Sequence, residues 1–115
     1  MTLPTGLSHI STADELIKII DENERVMVCC GRMGPMCVPV YESMEELEGE
    51  YKNVKFADME FDSPDAKVIR NLPECRSFAG LPFVVYYKNG KVVKATSSIQ
   101  SRDQITKILD ENFSN

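Results

Sequence analysis

Apolar and polar positions alternate with two distinct periods along this chain, and the switches between them mark its elements. Leu16, Ile17, Ile19 and Ile20 form an apolar stripe behind Thr12 and Glu15, a pair spaced as a capping box. That predicts a helix fading at Asp21–Glu24, after a short strand near Leu7–Ile10. Val26–Cys30 is an unbroken apolar run of strand length, as expected of a central strand buried on both faces. A turn, Gly31-Arg32-Met33-Gly34-Pro35, precedes a second helical stripe of Val40, Met44, Leu47 and Tyr51. This helix is expected from about Pro39 to Tyr51, with Pro39 in the first turn, where its missing donor costs nothing. Asn53–Phe61 reads as another inner strand through Val54, Phe56, Met59 and Phe61. Asp62 or Ser63 caps the next helix, with Pro64 at its first position and Ala66, Val68 and Ile69 inward, until Leu72-Pro73-Glu74-Cys75 breaks it. Phe83–Tyr87 is a strand, Lys88-Asn89-Gly90-Lys91 a tight turn, and Lys91–Thr96 returns antiparallel. Ser101 with Gln104 starts a last helix whose inner face is Ile105, Ile108 and Leu109. The order (β)αβαβαββα predicts an α/β domain: a central mixed sheet of four to five strands flanked by helices on both faces.

At 115 residues the chain reads as one domain over 1–115, able to bury its own core. The formal net charge of −5 argues against a nucleic-acid binder. No apolar run approaches membrane-spanning length, and Met1-Thr-Leu-Pro-Thr-Gly lacks the regions of a signal peptide. A cytoplasmic location is therefore expected, where thiols stay reduced. Glu42, Glu45, Glu46, Glu48 and Glu50 mark a solvated helix face. His9, the sole histidine, is expected in solvent.

The four cysteines are Cys29, Cys30, Cys37 and Cys75, with no C-x-x-C pair among them. Their spacing argues against a zinc site, because adjacent Cys29 and Cys30 are poorly arranged for tetrahedral ligation. Alternation along a strand points those two to opposite faces as small core residues. Cys37 differs, since it sits where a turn hands over to a helix. Unpaired N–H groups and the partial positive charge of a helix start favour a thiolate there. A half-buried structural cysteine fits the same position, so both readings stay open.

Leu81-Pro82-Phe83-Val84-Val85-Tyr86-Tyr87-Lys88-Asn89-Gly90-Lys91-Val92 resembles the thioredoxin family's Ile-Pro-Thr, apolar strand and Lys-Asn-Gly. Ser101-Arg102-Asp103-Gln104-Ile105 and Leu109-Asp110-Glu111-Asn112 are similar to its closing helix, and the resemblance extends over nearly the whole chain. It implies the thioredoxin fold, with Pro82 as a cis-proline beside the active-site cysteine and the Leu81 backbone pairing with substrate chain. Thioredoxins carry Trp-Cys-Gly-Pro-Cys, and this chain has neither tryptophan nor C-x-x-C. Three registers compete. Cys37-Val38-Pro39-Val40 keeps the attacking cysteine and its proline, and is preferred for that reason. Met33-Gly34-Pro35-Met36 loses both cysteines. Gly34-Pro35-Met36-Cys37 puts Cys37 in the resolving position and best fits the helix phase. The family's buried aspartate falls at about Cys29, so its proton relay is absent, and its groove glycine falls at Ser98.

The resemblance implies an atypical thiol–disulfide oxidoreductase without a cofactor, acting through Cys37 on protein disulfides. Val40 cannot resolve a mixed disulfide. Cys75 could, if its loop brings it near Cys37, and otherwise Cys37 works as a monothiol. Met36, Pro39, Leu81, Pro82 and Ser98 are the expected substrate-binding residues. A thioredoxin-reductase-type enzyme is the expected electron source, and a monomer the expected state. The alternative is a redox-inactive binding module, its groove rimmed by Met33, Met36 and Val40. A metal-carrying role for Cys37 with Cys75 ranks third.

Overall fold

One strand with two apolar faces sets the architecture. β2 (Arg25–Gly31) is buried along its whole length, as its unbroken apolar run requires. Met27 and Cys29 enter one core, while Val26, Val28 and Cys30 enter the other. The structure, a computed structural model, describes residues 5–75 and 80–113.

β1 (Ser8–Ile10) and β3 (Lys55–Glu60) run parallel to β2, with Cys29 opposite Asp58 and Asp58 opposite His9. β4 (Phe83–Lys88) pairs antiparallel on the other side of β2, and β5 (Lys91–Thr96) closes the sheet against β4. The order is β1-β3-β2-β4-β5, a five-stranded mixed sheet. α2 (Val38–Glu48) and α4 (Arg102–Phe113) cover one face through Val40, Met44, Leu47, Ile105 and Leu109. α1 (Ala13–Glu22) and the short α3 (Lys67–Arg70) cover the other through Leu16 and Ile69. This is the architecture expected from the pattern.

Local chemistry places the ends. Thr12 Oγ1 accepts the Glu15 N–H at 3.1 Å, and the Glu15 carboxylate reaches back to the Ser11 N–H at 3.0 Å. Ser101 and Gln104 form the reciprocal box, at 3.2 and 2.8 Å. Between β4 and β5, Asn89 and Gly90 both have positive φ, at 54° and 79°. That is the backbone of a two-residue turn matched to strand twist.

Three elements differ from expectation. α2 begins at Val38, with Cys37 as its N-cap, and ends at Glu48 rather than Tyr51, where the Gly49 and Glu50 N–H groups tighten onto the Glu46 and Leu47 carbonyls. Tyr51 still closes a turn onto the Leu47 carbonyl at 2.8 Å. The helix expected after Ser63 is a 3₁₀ turn, Pro64–Ala66, followed by the single turn of α3, and Pro73–Cys75 is a second 3₁₀ turn. Ser63 is the cap, accepting the Asp65 N–H at 3.3 Å. Among the acidic residues, Glu46 of α2 and Glu50 just beyond it do more than meet solvent, since both pair with Arg102 of α4.

The hairpin yields a direct check. Gly90→Ala forces a β-carbon into left-handed backbone and should lower stability by about 1–2 kcal/mol. Gly34→Ala, with open space around its α-carbon and no positive φ, should change stability less. Urea unfolding of the two variants reads the difference.

Candidate active site

The site forms where β2 ends against the start of α2. Val38 and Cys37 both donate their N–H groups to the Gly34 carbonyl, at 3.0 and 3.1 Å, which folds Gly34–Cys37 into a turn. Cys37 then caps α2 by backbone alone: its carbonyl accepts the Val40 and Tyr41 N–H groups, and its side chain makes no capping bond. The thiol turns inward instead. Its Sγ accepts the Arg32 N–H at 3.5 Å, and the residue is 3% exposed.

Gly31 makes that inward turn possible. A β-carbon there would stand 2.7 Å from Tyr41 Oη, 2.9 Å from Cys37 Sγ and 3.2 Å from Pro82 Cβ. Those three groups thus converge on the space a side chain would fill. The Leu81–Pro82 peptide is cis, and Pro82 is buried. Tyr41 Oη donates to the Arg32 carbonyl at 3.0 Å and holds the loop over the thiol. Arg32 is fixed from outside by a bidentate pair with Asp62, at 2.7 and 2.8 Å, and its guanidinium lies 5.4 Å from the Phe61 ring centre. The same pairing holds the Asp62 carboxyl below the usual carboxylate range.

Cys37 itself lines an open groove of about 430 Å³, together with Arg32, Met33, Gly34, Pro35, Met36, Gly80 and Leu81. Met33 and Met36 are half exposed. Ser98, at φ 67°, packs its Oγ against Gly80 and so backs the groove's far end. Pro39 sits within the first turn of α2, half-buried, and does not line the groove. Cys37, Met36, Leu81 and Pro82 are therefore gathered at one place, with Ser98 behind them. Cys37 stands at the helix N-cap and lines the groove, yet is almost fully buried.

Cys75 is elsewhere. It packs in the core beneath α1 and α3 with Cys30, whereas Cys37 packs with Cys29 in the core beneath α2 and α4. All four thiols are free. Burial, with Glu74 adding, pushes the Cys75 thiol up to about 11. Burial pushes Cys30 up to about 12, against Arg70, with Cys75 and Cys37 adding to the rise. The expected approach of Cys75 to Cys37 is not seen, and the chain from Arg76 to Ala79 that would carry it lies outside the described residues. No group of three or more histidine, cysteine or acidic side chains among the described residues could hold a metal ion.

Asp58 is the functional group that the sequence reading passed over, and His9 is not a free solvent side chain. Asp58 is 1% exposed, accepts from Thr5 Oγ1, and lies 2.8 Å from His9 Nδ1. Desolvation raises its pKa, opposed by the hydrogen bonds from His9 and Thr5. The signal was its spacing: Asp58 follows Phe56 by two on β3 and shares its inward face. Cys29, its neighbour across the strands, is raised well above the usual thiol range by burial first, then by Cys37, Cys30 and Asp58.

Solved structures with this arrangement are thioredoxins. Plasmodium falciparum thioredoxin matches with a TM-score of 0.76 at 20% identity, over 92% of this chain and 99% of that one. Fasciola hepatica thioredoxin matches with 0.76 at 22%, over 91% and 98%. A single-site mutant of thioredoxin from Halobacterium salinarum NRC-1 matches with 0.79 at 16%, over 100% and 97%. This chain has the thioredoxin fold. No protein-family model matches it, and no curated protein matches it in sequence. Within the thioredoxin fold, cis-Pro82 and the start of α2 meet over Gly31.

Two outcomes test this geometry. Gly31→Ala must displace Tyr41, Cys37 or Pro82 and should cost about 1–3 kcal/mol by chemical unfolding, the range of a small overpacking. Asp58 makes a pH signature. Its raised pKa means the folded chain binds this proton more readily than the unfolded chain. Its contribution is therefore greatest below the ordinary carboxylate range and declines as pH rises through that range to the raised value. Asp58→Asn should remove the decline, so the variant gains on the parent between acid and neutral pH. Urea midpoints measured across that interval give the answer.

Proposed function

We propose that this protein is an atypical thiol–disulfide oxidoreductase working through Cys37. The observation that carries the reading is the convergence of Cys37 Sγ and Pro82 Cβ over Gly31, under an open groove rimmed by Met33 and Met36. An extended protein segment lies in the groove, pairs with the Leu81 backbone beside cis-Pro82, and presents a disulfide to Cys37. Leu81, Pro82 and Met36 position it, Ser98 bounds the groove beyond Gly80, and Pro39 holds the first turn of α2. Cys37 thiolate attacks one sulfur, forms a mixed disulfide and releases the other sulfur as thiolate. A second thiol must then free the product. Cys75 could serve only if the 3₁₀ turn that carries it moves out of its core; otherwise a thiol other than Cys75 completes the step. A thioredoxin-reductase-type enzyme or a small thiol supplies the electrons, and the protein acts as a cytoplasmic monomer without a cofactor. No helix among the described residues is long and apolar enough to cross a membrane.

A second reading rests on a separate observation. Cys37 is almost fully buried while Met33 and Met36 stand half exposed, a pattern suited to holding a partner without redox turnover. The two readings part on one substitution. Cys37→Ser should reduce disulfide reduction, followed as insulin precipitation with dithiothreitol, to the protein-free rate. Equal activity in the parent and the Cys37→Ser protein would overturn the oxidoreductase. Retained binding of a partner by Cys37→Ser, with no activity in either protein, would establish the module.

A further inference from the structure

Four cysteines in a small domain fall into two pairs, one on each side of the sheet. Cys29 and Cys37 share the core under α2 and α4, and Cys30 and Cys75 share the core under α1 and α3. The division follows from β2, because Cys29 and Cys30 are adjacent on a strand and must face opposite ways. On the α2 side, Gly31 is two residues beyond Cys29 and so on the same face. The Cys37 sulfur occupies the space over Gly31, 2.9 Å from where its β-carbon would be. Between Cys37 Sγ and Cys29 the strand therefore contributes no intervening side chain on that face.

We infer that Cys29, rather than Cys75, is the thiol that resolves the mixed disulfide on Cys37. The inference rests on the oxidoreductase reading above and supplies its missing step. A resolving thiol attacks from inside the protein, so the complete burial of Cys29 is no obstacle to it. Only the first thiol has to meet substrate. Substrate disulfide and Cys37 thiolate give a Cys37–substrate disulfide and one substrate thiolate. Cys29 gives its proton to the Asp58 carboxylate, which sits opposite it on β3 and is linked through His9 Nδ1 to the partly exposed imidazole. The Cys29 thiolate then attacks Cys37 Sγ, a Cys29–Cys37 bond forms, and the second substrate sulfur leaves as thiolate. The substrate disulfide gains two electrons and the cysteine pair loses two, to be restored by an external dithiol.

Oxidation tests this without any substrate or substitution. The purified chain is held in mixtures of oxidised and reduced dithiothreitol, trapped with acid and alkylated, and its disulfides are mapped by mass spectrometry. A Cys29–Cys37 bond that appears and disappears with the ratio is expected. A Cys37–Cys75 bond in its place, or Cys37 left unpaired at every ratio, would overturn the inference. Turnover is the second readout. Cys29→Ala should stop disulfide reduction and accumulate a Cys37-linked mixed disulfide, while Cys75→Ala should turn over as the parent does. If Cys29→Ala is poorly folded by circular dichroism, the mapping on the parent chain still decides. A parent chain that forms the Cys29–Cys37 bond yet reduces no protein disulfide upholds the pairing and rejects the oxidoreductase. Loss of activity in Cys37→Ser together with full turnover in Cys29→Ala would do the reverse.

Discussion

The site depends on a missing side chain. At Gly31 the central strand runs out beneath the start of α2, and three groups from three segments press into the space above its α-carbon. Tyr41 comes from the second turn of α2, Cys37 from its cap and Pro82 from the approach to β4. Glycine is needed here for close approach, not for an unusual φ. Any β-carbon would push the helix start away from the sheet or the proline away from the thiol. The loop above is then secured from both sides, by the Tyr41 hydroxyl on the Arg32 carbonyl and by Asp62 on the Arg32 guanidinium. Close packing over Gly31, together with the Arg32 N–H on sulfur, thus decides where Cys37 points.

The same strand sorts the chemistry. Because β2 is buried on both faces, each of its residues must suit a dry interior, and cysteine does so as a small, weakly polar side chain. Burial has a second effect. A thiolate is costly in such surroundings, so Cys29, Cys30 and Cys75 are all held in the thiol form well above the usual range. On the oxidoreductase reading, removing a proton is therefore as demanding as bringing sulfurs into contact. That gives weight to Asp58, a buried carboxyl that takes protons more readily than usual and touches a half-buried histidine.

Much of the fold was legible because its signals are local. The two capping boxes, the Asn-Gly turn and the uninterrupted run through Val26–Cys30 each act within a few residues, and each appears where its chemistry places it. The α2 boundary was less so, since Tyr51 continues the apolar phase after the helix has tightened into a closing turn at Gly49 and Glu50. At the site, Cys37 beside Pro82 was readable from the helix start and from resemblance. Whether Cys75 partners Cys37 was not, because that depends on the path of a connecting loop, and spacing along the chain says little about such a path. His9 and Asp58 were missed for a related reason. Each looks ordinary alone, and only the parallel register of β1 with β3 makes them neighbours.

The groove over Cys37 is shaped by apolar side chains and backbone, whatever the thiol at its edge does. Met33 and Met36 keep an apolar, deformable lip where an extended chain can lie, and cis-Pro82 with Leu81 keeps the backbone edge beneath it. Recognition of a partner segment needs nothing further. Disulfide exchange does, because a buried sulfur has to be reached in line with the bond it breaks. The turn from Gly34 to Cys37, closed by two N–H groups on one carbonyl, lines that groove and carries the thiol at its end. On the oxidoreductase reading, recognition and attack therefore meet in one short piece of backbone.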